Sequence, residues 1–272
     1  MKKRIFKLLF ALVAIATTAG AQENTIDGHE YVDLGLPSGT LWATCNVGAS
    51  KPEEYGLYFA WGETKGYTSD TSDGHSFDEA NYKWCKQTKL GDYCATKYCN
   101  DIVATCEDTV IVLIELGVAS VEEADAKTLQ EKLDYILADK IEGWGLAQND
   151  NKTELDLEDD AAYVNWGSNW RMPSLDQIEE LIDNCNWEWT TQNGIYGKKA
   201  TSKTNGNSIF LPAASHRSYK SLFRAGSDGD YWSRSLSTGI SVFAFYLSFD
   251  SGGVDCYDNN RCYGRSVRPV RR

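Results

Sequence analysis

Proline is scarce in this chain of 272 residues, with five against 23 glycines, and histidine is scarcer still, with three. So little proline, beside abundant Gly, Asn, Asp and Ser, favours strands joined by tight turns. His29, His75 and His216 lie far apart with no ligand spacing, so no histidine-built metal cage is expected and their default roles are surface or structural. No apolar run after the first twenty-one residues reaches the roughly 20 residues that a helical membrane span needs. Gly-x-Ser-x-Gly, a phosphate-cradling loop and a zinc-protease helix are all missing, and with them the common nucleophilic and metalloprotease chemistries. Basic residues are outnumbered, 27 against 39 acidic ones. A polyanion meets Coulombic resistance at phosphate backbones and anionic lipid, which makes nucleic acid and membrane surfaces poor partners.

What is present begins with an export signal. Lys2, Lys3, Arg4 and Lys7 form a basic segment, Leu8 to Ala16 is continuously apolar, and Ala19-Gly20-Ala21 supplies small residues for cleavage before Gln22. No cysteine stands at that point to carry a lipid anchor. Residues 1–21 are expected to be removed, leaving 23 basic against 39 acidic residues, a formal charge of −16. The product is expected in the periplasm, at the cell surface or outside the cell, not embedded in a membrane. Nine Trp, fifteen Tyr and nine Phe promise an aromatic core. The length suits one large domain, or one domain with an insertion.

All eight cysteines, Cys45, Cys85, Cys94, Cys99, Cys106, Cys185, Cys256 and Cys262, lie in the mature part. Disulfides are permitted in an exported protein, though their pairing is not deducible. Cys94-x4-Cys99 has ligand-like spacing, but no second short pair or nearby histidine completes a zinc site. Buried free thiols are the remaining reading.

Along the chain, Glu30 to Thr44 reads as strand, turn, strand, and Tyr55 to Trp61 as an aromatic strand. Residues 67–83 are polar and loop-like, and the cysteine cluster after them shows no period. Residues 107–144 differ: Ser120 to Glu123 has capping-box spacing, and Leu129, Leu133, Ile136, Leu137 and Ile141 share a helical face, a core-facing seam in a helical insertion. The acidic stretch 150–160 lacks the order of a calcium loop and suits a helix N-terminus, where carboxylates oppose the dipole. Ser174 and Gln177 cap a second helix that buries Ile178, Leu181 and Ile182. Asn193-Gly194 signals a hairpin, Ser208 to Leu211 a buried strand, and Ser266 to Val270 a closing strand. Phe243, Phe245, Leu247 and Phe249 alternate along another strand, while Asp258-Asn259-Asn260 suggests a turn.

The segment from Glu30 to Gly48 (EYVDLGLPSGTLWATCNVG) resembles proteins of the Fibrobacter succinogenes major paralogous domain family of gut Bacteroidetes. Trp61-Gly-Glu63, Asn165-Trp-Gly167, Trp170-Arg-Met-Pro173, Asn207 to Ala214, Tyr231-Trp-Ser233 and Gly264 to Val270 are similar too. The likeness covers nearly all of the mature chain except residues 107–144. It implies an α+β, C-type-lectin-like fold of the formylglycine-generating-enzyme kind: a twisted antiparallel sheet, two helices and long loops. It also implies a relation to variable proteins of diversity-generating retroelements, in which adenine-directed mutation of Asn codons varies a binding face. Such mutation of AAC codons cannot produce Glu, Lys, Gln, Met or Trp. Those five types fill 47 of the 211 residues from Gln22 to Trp232 and none of the forty from Ser233 to Arg272. Strand and turn preferences also disfavour most of them there.

A copper pair of the formylglycine-generating kind requires two soft thiolates. Cys256 and Cys262 are the available pair, but Tyr257 to Arg261 between them read as an exposed turn, which favours a hairpin disulfide or two unrelated thiols. Calcium-dependent sugar binding of the animal C-type-lectin kind requires Glu-Pro-Asn or Gln-Pro-Asp beside Trp-Asn-Asp, and none occurs. No catalytic residue, metal ligand or cofactor is assigned. The sequence instead points to a ligand-binding module recognising a protein or glycan through its C-terminal loops. Tyrosines mixed with short polar groups give contact area at low rotamer cost. The candidate residues are Asp230, Arg234, Tyr246, Ser248, Asp250, Asp255, Tyr257, Asp258, Asn259 and Tyr263. The competing readings are a formylglycine-generating-like oxidoreductase, a glycan-processing accessory, and a structural envelope or pilus component.

Overall fold

A computed structural model describes residues 24–87, 93–95, 97–98, 152–237 and 242–271. The helical insertion expected over 107–144, the export signal and most of the cysteine cluster lie outside these residues. Within them the chain is α+β, dominated by antiparallel strands with two α-helices. No helix among the described residues is long and apolar enough to cross a membrane.

Strands β1 (Thr25–Ile26), β2 (His29–Asp33) and β3 (Leu41–Ala43) form a small sheet that β16 (Val270–Arg271) completes by pairing with β3. The second aromatic strand is shorter than its composition suggests, only β4 (Tyr58–Phe59). Among the described residues it pairs with β15 (Gly264–Ser266) and is bridged to Tyr67. The cysteine region, unreadable from periodicity, holds a hairpin of β5 (Cys85–Gln87) and β6 (Tyr93–Ala95). Helix α1 (Ala161–Trp166) starts where Asp160 accepts hydrogen bonds from the amides of Ala162 and Tyr163. The acidic stretch therefore does lead into a helix N-terminus. Asp160 is fully buried, however, and also binds Arg171 and the Met172 amide.

Helix α2 (Leu175–Asn184) opens with the capping box of Ser174 and Gln177, both reciprocal bonds being present, and buries Ile178 and Leu181. It leads into a three-stranded sheet of β7 (Cys185–Gln192), β8 (Ile195–Ser202) and β9 (Ser208–Pro212). The β7–β8 hairpin turns on Asn193 and Gly194, both with positive φ (49° and 82°), the backbone sign that a two-residue hairpin of matching twist requires.

The sheet that carries the candidate residues has the order β11 (Ser221–Phe223), β10 (His216–Ser218), β15, β12 (Gly229–Leu236), β13 (Phe243–Phe249), β14 (Val254–Asn260). The β12–β15 pair is parallel and the other neighbours are antiparallel. The closing strand expected over 266–270 is in fact two strands in different sheets. Arg268 lies between them, its side chain buried and bonded to Asn46 and to the carbonyls of Ala43 and Phe210. The Asp258-Asn259-Asn260 turn is likewise corrected: Asp258 to Asn260 belong to β14 and pair with Phe245 to Phe243.

Three apolar clusters fill the interior. One, under α2, joins Trp42, Ile178, Leu181, Tyr231, Leu247 and Phe249, with Cys256 against it. A second, on the opposite face, joins Phe59, Trp61, Trp170, Trp232 and Ala244, and Tyr246 packs on it. A third holds Tyr58, Phe77, Tyr82 and Cys262. Four arginines, Arg217, Arg261, Arg265 and Arg268, are also buried. Such charges need partners. Arg217 grips Asp73 with both nitrogens, and Arg261 bonds to the Tyr82 hydroxyl and the Lys97 carbonyl beneath Trp61.

Candidate functional site

Register decides which candidate residues meet. Along β12, β13 and β14 the cross-strand rows are Asp230–Ser248–Asp255 and Trp232–Tyr246–Tyr257, with Ala244–Asn259 beyond. Since side chains alternate between faces, Asp230, Tyr246, Ser248, Asp255, Tyr257 and Asn259 share one face. Its Trp232 and Ala244 end is core, and its other end opens to solvent.

The base of the open end is rigid. Asp230 is only 6% exposed and accepts bonds from Ser248 (2.8 Å) and, from β10, His216 Nδ1 (2.9 Å). Burial works against its charged form, but the bonds to His216 and Ser248 and the nearby Arg265 charge prevail, holding the carboxyl below its ordinary value. The His216 ring lies between Phe223 and Tyr263 in near-parallel stacking, 5.5 and 5.8 Å between centroids. Arg265 is 1% exposed, with its guanidinium 3.9 Å from the Tyr246 ring and 4.3 Å from Trp232. Its Nε and Nη1 have no hydrogen-bond partner, so the aromatic faces and the Asp230 charge compensate it. Ser248 bonds to Asp230 and not to the imidazole, so these three residues do not form a nucleophile–base–carboxylate relay.

The aromatic surface stands on this base. Tyr257 is 53% exposed, its ring 6.3 Å from that of Tyr246, and Tyr219 and Phe223 on the β10–β11 hairpin are 58% and 43% exposed. Beside Tyr257 a groove of about 320 Å³ is lined by Ser248, Asp250, Asp255 and Tyr257 together with Arg224 and Asp228. Asp250 holds its own turn through the amides of Gly252 and Gly253. Strand β14 is an edge among the described residues. The amides of Cys256 and Asn260 are taken by the side-chain oxygens of Asp255 and Asn259, so the edge is partly closed by its own side chains.

Not every candidate belongs here. Asp230 serves as an internal acceptor and not as part of the rim. Tyr246 and Tyr263 are half-buried and act as packing around Arg265 and His216. Asp258 faces the other side of β14 and accepts a bond from Ser237. Arg234, past an irregularity in the β12–β13 register, turns into a different, polar cleft of about 560 Å³. There it binds Glu154, the Met172 carbonyl and Gln177. Missed by sequence reasoning were His216, Tyr219, Phe223, Arg224 and Asp228. The only local signal was an aromatic at each end of the short 219–223 segment.

The thiols proposed as a pair do not meet. Cys256 packs on the cluster under α2 and Cys262 in the cluster around Tyr58, and neither is in a disulfide. Burial pushes the Cys256 thiol up to about 12 and raises Cys262 as well. In the acidic stretch, Asp156, Glu158 and Asp159 approach one another. Lysines already occupy two of the three: Lys83 and Lys97 bind Asp159, and Lys152 binds Asp156.

Comparison of the chain with protein-family models, curated proteins and solved structures finds no match.

Proposed function

We propose that this protein is an exported ligand-binding module of C-type-lectin-like fold, recognising a protein or glycan through the open face of β10, β13 and β14. The reading takes residues 1–21 as a cleaved export signal and residues 107–144 as a helical insertion. It places the module in the periplasm, at the cell surface or outside the cell. It rests on one observation above all: Tyr257, Tyr219 and Phe223 are exposed on the sheet that also holds the hydrogen-bonded Asp230, His216 and Ser248. Rigid aromatics on an ordered base give contact area with little entropy to lose on binding.

The test is an array of glycans and surface proteins probed with the mature domain. Saturable binding of a partner is expected. Tyr257→Ala should weaken that binding at least about tenfold while shifting the melting temperature little, because the side chain is more than half exposed. Saturable binding indifferent to Tyr257→Ala would remove this face from the account. Absence of any saturable ligand would favour a structural envelope component.

A further inference from the structure

The groove beside Tyr257 is chemically selective. Three carboxylates line it, Asp228, Asp250 and Asp255, against one cation, Arg224. That cation is already committed, since Arg224 Nε binds Asp228 Oδ2 at 2.7 Å and its side chain is otherwise in water. The other oxygen of Asp228, Oδ1, is buried and has no donor. Burial raises the Asp228 carboxyl above its ordinary value, with Arg224 opposing, so a further positive charge would be welcome there. Asp255 and Asp250 use one oxygen each on backbone amides. The Tyr257 ring stands on one side of the groove, while Phe249 and Val254, which also border it, turn their side chains to the α2 side of the sheet. An aromatic wall and net negative charge together suit a methylene stem ending in a cation.

We infer that this groove takes a lysine or arginine side chain of a protein ligand, its stem against the Tyr257 ring and its charged end among Asp228, Asp250 and Asp255. The inference rests on the binding-module reading above and narrows it from protein or glycan to a cationic protein surface. The whole chain carries a formal charge of −12, so long-range steering acts in the same direction.

The experiment titrates the mature protein with capped Gly-Xaa-Gly tripeptides and follows its backbone amide NMR shifts, with Xaa as Lys, Arg, norleucine or Glu. Saturable shifts centred on Ser248, Gly253 and Tyr257 are expected with Lys and Arg alone. Asp255→Asn and Asp228→Asn keep an oxygen for the local bonds, and together they should raise the dissociation constant about tenfold. Asp176→Asn removes one negative charge from the exposed first turn of α2 and should leave the constant unchanged. Thermal melts of each variant confirm folding. Equal response to norleucine, no saturable shift with Lys or Arg, or an equal effect of Asp176→Asn would overturn the inference. If the array still yields a ligand sensitive to Tyr257→Ala while the cationic tripeptides fail, the binding face stands and only its cation preference falls. If the array yields none, the wider reading fails as well.

Discussion

Replacing Asp73 by Ala tests how the site's base is held in place. Arg217 emerges from β10 one residue after His216 and is completely buried. It donates Nη1 to Asp73 Oδ2 at 2.7 Å and Nη2 to Asp73 Oδ1 at 3.0 Å, with the Thr68 and His75 carbonyls accepting further bonds. Removing one partner of a buried pair costs about 3–5 kcal/mol, because the other charge is left desolvated. The Asp73 side chain keeps 26% of its surface in water, so the lower end, about 3 kcal/mol, is expected. For a domain of this size that lowers the melting temperature by about 6–12 °C. Asp73→Ala combined with Arg217→Met should be less destabilised than Asp73→Ala alone, since a methionine can lie against Phe77 where the guanidinium now sits. The pair also has a pH signature. The bonds from Arg217 hold the Asp73 carboxyl at about 2, below its ordinary 3.8. Its stabilising contribution is therefore complete above 3.8 and disappears as pH falls through about 2. Chemical denaturation of wild type, Asp73→Ala, Arg217→Met and the double variant between pH 7 and 2 measures all of this. The reasoning fails if Asp73→Ala costs under about 1 kcal/mol, or if the double variant is simply the sum of the single ones.

Three further outcomes follow from the packing. Gly229→Ala should destabilise by about 2–3 kcal/mol in a urea titration, because its new methyl would stand 2.1 Å from the Phe249 ring. Gly194→Ala meets no atom within 4 Å but must hold φ at +82°, so about 1 kcal/mol is expected by the same assay and a larger loss would point to a contact not accounted for. Cys256 and Cys262, with thiols raised by burial, should react with iodoacetamide at pH 8 far more slowly in the native protein than in denaturant, as read by mass spectrometry; rapid native labelling would show that these sulfurs are accessible.

Where local physics decides conformation, the sequence was readable. Ser174 and Gln177 satisfy each other's amides wherever they fall three apart at a helix start, and Asn193-Gly194 tolerates positive φ in any context. The same habit misled at Asp258-Asn259-Asn260. Short polar side chains that usually make turns are here held extended by three of the seven pairs that join β14 to β13, with Asn259 bonding the next amide of its own strand. Phe243 to Phe249 alternated as expected, but its outward row was not all outward, since Tyr246 packs on a buried Arg265 nineteen residues later. The His216–Asp230 bond and the Arg224–Asp228 groove wall come from a hairpin and loop that only tertiary pairing brings beside β14. No pattern within one segment announces such a pair. Arg234 shows the limit of period-two reasoning: the register irregularity after Trp232 directs it into the polar cleft by α2.

The edge of β14 has a consequence for anyone who would re-aim this surface. Asp255 and Asn259 guard amides that another strand could otherwise zip onto, so those two places accept only short acceptor side chains without inviting self-association. Tyr257, standing between them, bears no such duty. Variation can therefore be concentrated at alternate positions of one strand, the intervening ones serving as a guard rail that keeps each new version of the face monodisperse.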